Sequence, residues 1–376
     1  MTDYGELNPP LRILMGPGPS NVHPRVLRAM STPLVGHLDP EFLKIMDEVQ
    51  ELLRYVFQTK NQFTIPVSGT GSAGMETGFV NLIEDGDEVV VGVNGVFGER
   101  MSDIAGRCGG KRTRVEAEWG NIIPPEKIAE AVKGKKVKLV AVVHAETSTG
   151  AWQPLEEIAN ISHNAGALFL VDAVTSLGGC PVKLDEWGID VCYSGTQKCL
   201  SAPPGLSPVS FNERARQVIT SRKKKVQSWY LNMSMIEKYW GKERTYHHTA
   251  PITMVYGLRE ALRLIQEEGL ENCFKRHELN HKALKKGLEK LGLSLHAHEG
   301  HRLWMLNTVR VPEGVDEARV RKRLLDEFNI EIGGGLGVLK GKVWRVGLMG
   351  YSSREENVLY FLHAMEKILD GEGWKK

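Results

Sequence analysis

The chain has little cysteine, almost no net charge and no long apolar run. Its five cysteines among 376 residues form no C-x-x-C pair, so the disulfide framework of a small secreted protein is not expected. The 48 basic and 46 acidic residues leave a net charge of +2, which gives no reason to expect nucleic acid as a partner. No apolar stretch approaches the roughly 20 residues that span a bilayer, and residues 1–14 lack the pattern of a secretory signal. These absences predict a cytoplasmic protein with no membrane partner.

Short runs rich in β-branched residues alternate with helical stretches between residues 64 and 211. Strands that alternate with helices predict crossover connections, and nearly all-apolar strand cores are typical of a sheet covered on both faces. We therefore predict an α/β fold with a mostly parallel seven-stranded sheet. The seven runs are Thr64–Val67, Val89–Val93, Arg112–Val115, Val137–Val143, Ala167–Val171, Asp190–Ser194 and Pro208–Phe211.

The residues before and after this alternating region have different patterns. Prolines within residues 16–19 exclude a helix there, and we predict an N-terminal arm over residues 1–25. A large domain over residues 26–255 is expected to begin with a helix that has Asp39 as its N-cap and Pro40 as its first residue. Long helical stretches followed by strands and further helices predict a smaller α+β domain over residues 256–376.

Glycine and hydroxyl residues follow the first predicted strand at residues 68–74, which read Ser-Gly-Thr-Gly-Ser-Ala-Gly. Glycines let a backbone approach a ligand closely, and the N–H groups of a helix N-terminus favour an anion. The glycines also match the G-x-G-x-x-G fingerprint of nicotinamide-dependent oxidoreductases. That fingerprint requires an acidic residue at the end of the next strand, where this chain has Asn94. A cradle for a single phosphate is favoured, while a tight turn without a ligand stays open.

An aspartate and a lysine each follow a predicted buried strand. Asp172 comes directly after an apolar run, and ligands of open α/β sheets bind at the carboxyl ends of strands. Lys198 follows small and hydroxyl residues. A lysine held in a closed site loses solvation, so its pKa falls and its neutral amine can attack a carbonyl. Taken alone, Asp172 is as well explained by a helix cap or an ion pair, and a single lysine by a solvated surface.

Nine motifs together resemble one family. They are Gly-Pro-Gly-Pro-Ser at 16–20, Ser-Gly-Thr-Gly-Ser at 68–72, Asn-Gly-Val-Phe-Gly at 94–98, Ser-Thr-Gly at 148–150, Val-Asp-Ala at 171–173, Ser-Gly-Thr-Gln-Lys at 194–198, Tyr-His-His-Thr at 246–249, Gly-Gly-Gly-Leu-Gly at 333–337 and Trp-Arg-Val-Gly at 344–347. In this order, and over nearly the whole chain, they resemble the class V aminotransferases, most closely the alanine–glyoxylate, serine–glyoxylate and serine–pyruvate enzymes. The resemblance implies pyridoxal 5'-phosphate as cofactor, fold type I with a large and a small domain, and a homodimer with shared active sites.

The resemblance also implies a role for each matching residue. Lys198 forms a Schiff base with pyridoxal phosphate, Asp172 pairs with its pyridine nitrogen, and Arg345 holds the substrate carboxylate with a bidentate fork. Small amino acids and 2-oxo acids are the implied substrates, and no metal is implied. The remaining cofactor contacts are Thr70, Gly71, Ser72 and Gln197 at the phosphate, Phe97 and Thr147 along the ring, and Tyr246 and Thr249 at the phosphate of the neighbouring subunit's cofactor.

These residues predict transamination of alanine or serine with glyoxylate or pyruvate by a ping-pong mechanism. A broad-specificity or aspartate-type class V aminotransferase is the first alternative. A cysteine desulfurase-like lyase is disfavoured, because residues 333–340 contain no cysteine and Gln197 stands where desulfurases commonly have histidine. A nicotinamide-dependent oxidoreductase and a catalytically silent binding protein are further alternatives. Phe97 replaces the tryptophan that is frequent in the family, so the side-chain specificity stays open.

Overall fold

The computed structural model describes residue 2 and residues 4–374. The predicted arm and small domain also include residues 1, 3, 375 and 376, which lie outside the described residues. The strands are β1 (Ile13–Leu14), β2 (Phe63–Ser68), β3 (Glu88–Val93), β4 (Lys111–Glu116), β5 (Val137–Val143), β6 (Ala145–Glu146), β7 (Ala151–Trp152), β8 (Leu168–Asp172), β9 (Val191–Tyr193), β10 (Leu206–Phe211), β11 (Leu306–Arg310), β12 (Ile330–Glu331), β13 (Gly333–Gly334) and β14 (Val343–Gly347).

The α-helices alternate with the strands in the first half of the chain and dominate after residue 212. They are α1 (Pro24–Met30), α2 (Pro40–Val56), α3 (Gly71–Leu82), α4 (Val96–Arg107), α5 (Pro125–Val132), α6 (Glu156–Asn164), α7 (Glu213–Thr220), α8 (Met233–Trp240), α9 (Ile252–Glu268), α10 (Leu270–Lys290), α11 (Glu317–Phe328) and α12 (Glu355–Gly371). Single 3-10 turns lie at Gly337–Leu339 and Gly350–Ser352.

The central sheet has seven strands in the order β2-β10-β9-β8-β5-β3-β4. Strand β10 is antiparallel to both of its neighbours, and the other pairs of this sheet are parallel. Each of the seven predicted runs overlaps one of these strands, so the prediction of a mostly parallel seven-stranded sheet is confirmed. Strands β8, β9 and β10 are buried along their whole length, as a sheet covered by helices requires.

Helix α2 shows how the sequence determines an element. The Asp39 side chain accepts a hydrogen bond from the backbone N–H of Glu41 at 2.9 Å, which satisfies one of the free donors of the first turn. The helix buries an apolar face that includes Phe42, Met46 and Val49 and packs against α9. Full burial of each such side chain stabilises the fold by roughly 1.5–3 kcal/mol.

The C-terminal part of the chain has its own sheet and apolar cluster. Strands β11, β14 and β13 form a three-stranded sheet, and its residues pack with α10, α11 and α12. Strand β1 pairs with β12 in parallel, and Met15 is buried in the same cluster. The start of the chain is therefore fixed to its C-terminal part. The division at residues 25 and 255 stays a prediction.

Four helices and one hairpin have no counterpart in the sequence prediction. Helices α1, α7 and α8 have seven or eight residues, α4 has 12, and β6 and β7 are a two-residue antiparallel pair. Helix α4 begins after Gly95, contains Gly98 and Gly106, and has no side-chain cap of its own. Glycine lowers helix propensity by about 1 kcal/mol relative to alanine, so local signals for α4 are weak. The hydrogen bonds at its first turn come from a distant part of the chain.

Candidate active site

The loops that follow several strands converge on one pocket. Strands β3, β5, β8 and β9 are parallel, and β2 points the same way because β2 and β9 are both antiparallel to β10. Ligands of α/β sheets bind at this carboxyl edge. Eight of the eleven predicted site residues are among the lining residues, which are Thr70, Gly71, Ser72, Met75, Phe97, Arg100, Ala145, Thr147, Asp172, Val174, Gln197 and Lys198.

The turn between β2 and α3 has the features of an anion site. Gly69 has a φ of 139°, and a Cβ there would lie 2.7 Å from the Cβ of Ala73, so glycine is required. Thr70 is the N-cap of α3, but its side chain makes no capping hydrogen bond. The buried side-chain oxygen of Gln197 has no hydrogen-bond partner among the described residues. The N-terminus of α3 and the side chain of Gln197 line the same pocket, and the backbone N–H groups of this helix end are the donors that a phosphate would bind.

Asp172 is a buried carboxylate at the end of β8. Its Oδ1 accepts a hydrogen bond from the backbone N–H of Val174 at 2.8 Å, and its Oδ2 accepts one from the Tyr193 hydroxyl at 2.7 Å. Burial raises the pKa of Asp172 to about 6, although both hydrogen bonds and the nearby Lys198 act to lower it. A cationic partner would compensate for the lost solvation. Asp172 is therefore suited to hold a protonated pyridine nitrogen.

Lys198 is 7% exposed and faces the N-terminal segment. Its ammonium group donates a hydrogen bond to the carbonyl oxygen of Pro17. Burial lowers the pKa of Lys198 to about 8, and the positive charge of Arg345 acts in the same direction. A Cβ at Gly18 would lie 2.5 Å from the Lys198 side chain. Glycine at this position therefore lets the segment close over an amine that is readily deprotonated.

Arg345 lies on β14, next to the pocket, and is 7% exposed. Its Nε donates to the carbonyl of Gly334 at 2.7 Å, and Nη1 lies 3.4 Å from the carbonyl of Thr147. No carboxylate of the described residues lies within salt-bridge distance of it. Burial lowers the pKa of Arg345 to about 10. A buried guanidinium that has no acidic partner among the described residues is suited to a ligand carboxylate.

Tyr246 and Thr249 do not join the pocket of their own chain. The Tyr246 side chain is 57% exposed and packs against His37, with ring centroids 5.2 Å apart. Thr249 is exposed as well. The structure thus brings together nine of the predicted site residues, Arg345 included, and leaves these two on the surface.

Besides the lining residues Met75, Ala145 and Val174, sequence reasoning missed three polar or charged residues in or beside the pocket. Tyr193 lies opposite Asp172 in the register of β8 and β9, which no sequence signal gives. Arg100 lies one turn after Phe97, with its guanidinium carbon 5.1 Å from the ring centroid. Glu146 is fully buried beside Thr147. An acidic residue within an otherwise apolar and hydroxyl-rich stretch was the available signal for Glu146.

Comparison with known proteins identifies the family. The pattern of the class-V aminotransferase family matches residues 14–360. The chain belongs to the class V aminotransferases. This aminotransferase is 45% identical to the (S)-ureidoglycine–glyoxylate transaminase of Bacillus subtilis, over 98% of this chain and 93% of that protein. It is 43% identical to the alanine–glyoxylate aminotransferase of Mus musculus, over 96% of this chain and 89% of that protein.

The solved structures agree with the sequence relatives. The alanine–glyoxylate aminotransferase of Nostoc sp. superposes with a TM-score of 0.96 at 52% identity, over 98% of both chains. The predictions of the family, of fold type I and of an aminotransferase are therefore confirmed, and the oxidoreductase and desulfurase alternatives are not favoured. No helix of the part of the chain that is described is long and apolar enough to cross a bilayer.

The cofactor of this aminotransferase is pyridoxal phosphate, and the pocket fits it. The uncapped N-terminus of α3 offers backbone N–H donors to a phosphate, and the side-chain amide nitrogen of Gln197 would be a further donor. The desolvated carboxylate of Asp172 suits a cationic ring nitrogen. The partly deprotonated amine of Lys198 suits a carbonyl carbon. Each charged part of the cofactor thus has a group of opposite character available in the pocket.

Proposed function

We propose that this aminotransferase moves the amino group of a small amino acid, alanine or serine, to glyoxylate or pyruvate in two half-reactions. One observation carries the proposal: Lys198, Asp172 and Arg345 lie around one pocket. Arg345 has no acidic partner among the residues that the structure describes. The relatives named for transfer to glyoxylate support glyoxylate as the acceptor. They do not favour an aspartate-type enzyme.

Lys198 and Asp172 divide the proton chemistry between them. Bound pyridoxal phosphate supplies an electron sink for the electrons of the substrate Cα–H bond. Asp172, when ionised, stabilises the proton on the pyridine nitrogen. Lys198, as a neutral amine, accepts the proton from the substrate Cα and returns it at the cofactor C4′. Because burial lowers the pKa of Lys198 to about 8, a useful fraction of it is neutral near physiological pH.

Arg345 orients the substrate in this proposal. A guanidinium offers two parallel N–H donors to a carboxylate, and the contacts of Arg345 to the carbonyls of Gly334 and Thr147 fix its plane. Every 2-amino acid and 2-oxo acid carries this carboxylate. Arg345 therefore serves both half-reactions and selects for the shared part of donor and acceptor.

A second amino donor is supported by a specific comparison. The Bacillus subtilis relative, at 45% identity over 98% of this chain, is named for the transfer from (S)-ureidoglycine to glyoxylate. (S)-Ureidoglycine also carries a 2-amino carboxylate, so the roles of Lys198, Asp172 and Arg345 would be unchanged. The two candidates differ in the donor side chain alone.

We propose further that the enzyme is a homodimer in which Tyr246 and Thr249 of one subunit complete the phosphate pocket of the other. Both residues are exposed in the single chain. Trp229, which stacks on His247 at 4.5 Å, and the adjacent Tyr230 are 60% and 41% exposed. Large exposed aromatic side chains in one place are typical of a protein interface.

Mixing two inactive variants tests the shared site. One variant is Lys198→Ala, and the other carries Tyr246→Ala and Thr249→Ala. Hybrid dimers would contain one intact site, because the first subunit supplies Tyr246 and Thr249 to the Lys198 of the second. Recovery of activity after joint refolding is expected. Absence of recovery, with hybrid formation shown by mass spectrometry, would contradict shared sites.

We also propose a cytoplasmic location. All five cysteines are buried and free, which is typical of a reducing compartment. Fractionation of cells that express the protein checks this, and enrichment in the membrane or exported fraction would contradict it.

A half-reaction screen tests the reaction itself. Alanine, serine, aspartate and (S)-ureidoglycine are mixed one at a time with the enzyme loaded with pyridoxal phosphate, and loss of its visible band is followed. Fast loss with alanine or serine is expected, and preference for (S)-ureidoglycine would select the second candidate. Borohydride treatment should attach the cofactor to the peptide that contains Lys198. Attachment elsewhere, or full activity of Lys198→Ala, would refute the proposed role of this lysine.

A further inference from the structure

Glu146 is a fully buried carboxylate at the end of β6. Its Oε1 accepts hydrogen bonds from the backbone N–H and the hydroxyl of Ser148, at 3.1 and 2.5 Å. Its Oε2 accepts from the backbone N–H groups of Phe97 and Gly98, each at 3.2 Å. A buried carboxylate that accepts from several donors is compensated for its lost solvation. Two of these donors belong to the first turn of α4.

The first turn of α4 is capped from outside its own sequence. Its N-cap, Gly95, has no side chain, and the N–H of Val96 donates to the Ser148 hydroxyl at 2.9 Å. The first three N–H groups of the helix therefore all bond to Glu146 or Ser148. A Cβ at Gly95 would lie 2.4 Å from the Glu146 carboxyl carbon, so glycine permits this close approach. The position of the α4 N-terminus depends on a side chain about 50 residues away.

This turn carries a side chain of the cofactor pocket. Phe97 lines the pocket, and Arg100 follows one turn later with its guanidinium over the Phe97 ring. Arg100 also donates to the Ser72 hydroxyl at 3.2 Å. Ser72 lies in the first turn of α3, where the phosphate is expected to bind. A shift of the first turn of α4 would therefore move the ring of Phe97 relative to the pocket. It would also weaken the hydrogen bond between Arg100 and Ser72.

We propose that Glu146 is a positioning residue, which fixes the ring of Phe97 against the cofactor through the first turn of α4. Glu146 itself does not line the pocket. The inference rests on the proposed role of Phe97 as the residue that stacks on the cofactor ring. Glu146 supplies the cap that the N-terminal residues of α4 lack. A cap from the helix's own sequence would not require a buried glutamate at this position.

Two substitutions weaken this cap to different degrees. Glu146→Gln keeps the shape but has one acceptor oxygen for four donors, so at least one pair of contacts is lost. Ser148→Ala keeps the carboxylate and removes the hydroxyl, which accepts from Val96 and donates to Glu146. For Glu146→Gln we expect the dissociation constant of pyridoxal phosphate to rise about tenfold or more, and for Ser148→Ala about threefold, in line with the loss of charged and neutral hydrogen bonds. The apoprotein is titrated with cofactor and followed by absorbance.

The visible circular dichroism of the bound cofactor provides a readout that a purely structural role would not change. Its amplitude per bound cofactor depends on how the ring is held, so it should fall in Glu146→Gln. Glu99→Gln is the matched control. Glu99 lies in the same turn of α4, but its carboxylate pairs with Arg114 at 2.7 Å on the outer side. This variant should keep wild-type affinity and dichroism.

A double-mutant cycle with Phe97→Ala tests the route. If Glu146 acts through Phe97, adding Glu146→Gln to Phe97→Ala should raise the dissociation constant by less than twofold. A second increase of tenfold would overturn the inference, and so would wild-type affinity and dichroism of Glu146→Gln. If Glu146→Gln does not fold, the cycle of Ser148→Ala with Phe97→Ala gives the same decision. Failure of the proposed function is distinguishable, because the wild-type protein would then bind the cofactor without transaminating the proposed substrates, and the affinity and dichroism of Glu146→Gln would still test the role of Glu146.

Discussion

The hydroxyl of Tyr193 offers a sharp test of how the pocket controls Asp172. Tyr193→Phe removes only the hydroxyl that donates to Asp172 Oδ2 at 2.7 Å, and the ring stays in a position that is fully buried. A hydrogen bond to a charged group contributes about 1.5–3 kcal/mol, and one pKa unit corresponds to about 1.4 kcal/mol. Because the hydroxyl stabilises the ionised form, its loss should raise the pKa of Asp172 from about 6 by roughly one to two units.

This shift predicts a particular pH dependence of cofactor affinity. Above about pH 9 Asp172 is ionised in both apoproteins, so Tyr193→Phe and wild type should have similar dissociation constants for pyridoxal phosphate. As the pH falls, the variant must ionise a weaker acid to pair with the ring nitrogen. The ratio of the two dissociation constants should rise to about tenfold or more below pH 6.

Tyr239→Phe is the matched control for this experiment. It removes a buried hydroxyl that donates to the carbonyl of His37 at 2.8 Å, with no carboxylate involved. Its dissociation constant should differ from that of wild type by the same small factor at every pH. If Tyr193→Phe also gave a ratio independent of pH, the reasoning about Asp172 would be refuted.

Three further predictions concern Lys198, Arg345 and Asp172. The rate at which the apoprotein captures pyridoxal phosphate should rise with pH and reach half of its maximum near pH 8, the pKa of Lys198. Arg345→Gln should move the midpoint of the capture rate to higher pH, because the positive charge of Arg345 lowers the pKa of Lys198. Stopped-flow absorbance measures the capture rate of wild type and variant, and an unchanged midpoint would contradict this effect of Arg345. Arg345→Gln should also raise the KM of amino donors about a hundredfold, with a smaller change in kcat, since a bidentate ion pair is lost. Steady-state kinetics in which kcat falls and KM is unchanged would exclude a role in binding. The folded-state pKa of Asp172, about 6, exceeds its unfolded value of about 4, so its burial costs stability above pH 6 and not below pH 4. The apoprotein of Asp172→Asn should therefore be more stable than wild type by about 3 kcal/mol at pH 7 and similar at pH 4; urea unfolding with a difference independent of pH would contradict this.

Signals that lie within one element of the chain led to correct predictions. The seven strands were predictable because each is a nearly continuous apolar run, and α2 because Asp39 and its apolar face are local features. The positions of Asp172 and Lys198 at the sheet edge were predictable because Asp172 ends such a strand and Lys198 follows one, and their roles stay predictions. In a parallel sheet, residues at successive strand ends meet at one edge without further information.

Contacts between distant parts of the chain explain what the sequence did not predict. Helix α4 has glycines where a cap and a good helix former would be expected, and its cap is Glu146, at the end of β6. The bond between Tyr193 and Asp172 depends on the register of β8 with β9. Tyr246 and Thr249 remain a prediction, because their proposed contacts are with a second subunit.

The pKa directions in the pocket have one physical cause. Burial raises the pKa of Asp172 and Glu146 and lowers the pKa of Lys198 and Arg345. If these acids and bases formed direct ion pairs, each pKa would shift the other way. The pocket therefore holds desolvated charges that do not neutralise each other by contact. A cationic ring nitrogen, an electrophilic carbon and a carboxylate on the bound ligands would compensate for the lost solvation of Asp172, Lys198 and Arg345, respectively. Glu146 already accepts hydrogen bonds from the first turn of α4. Asp172, Lys198 and Arg345 are therefore available to bound ligands, and Glu146 holds part of the site in position.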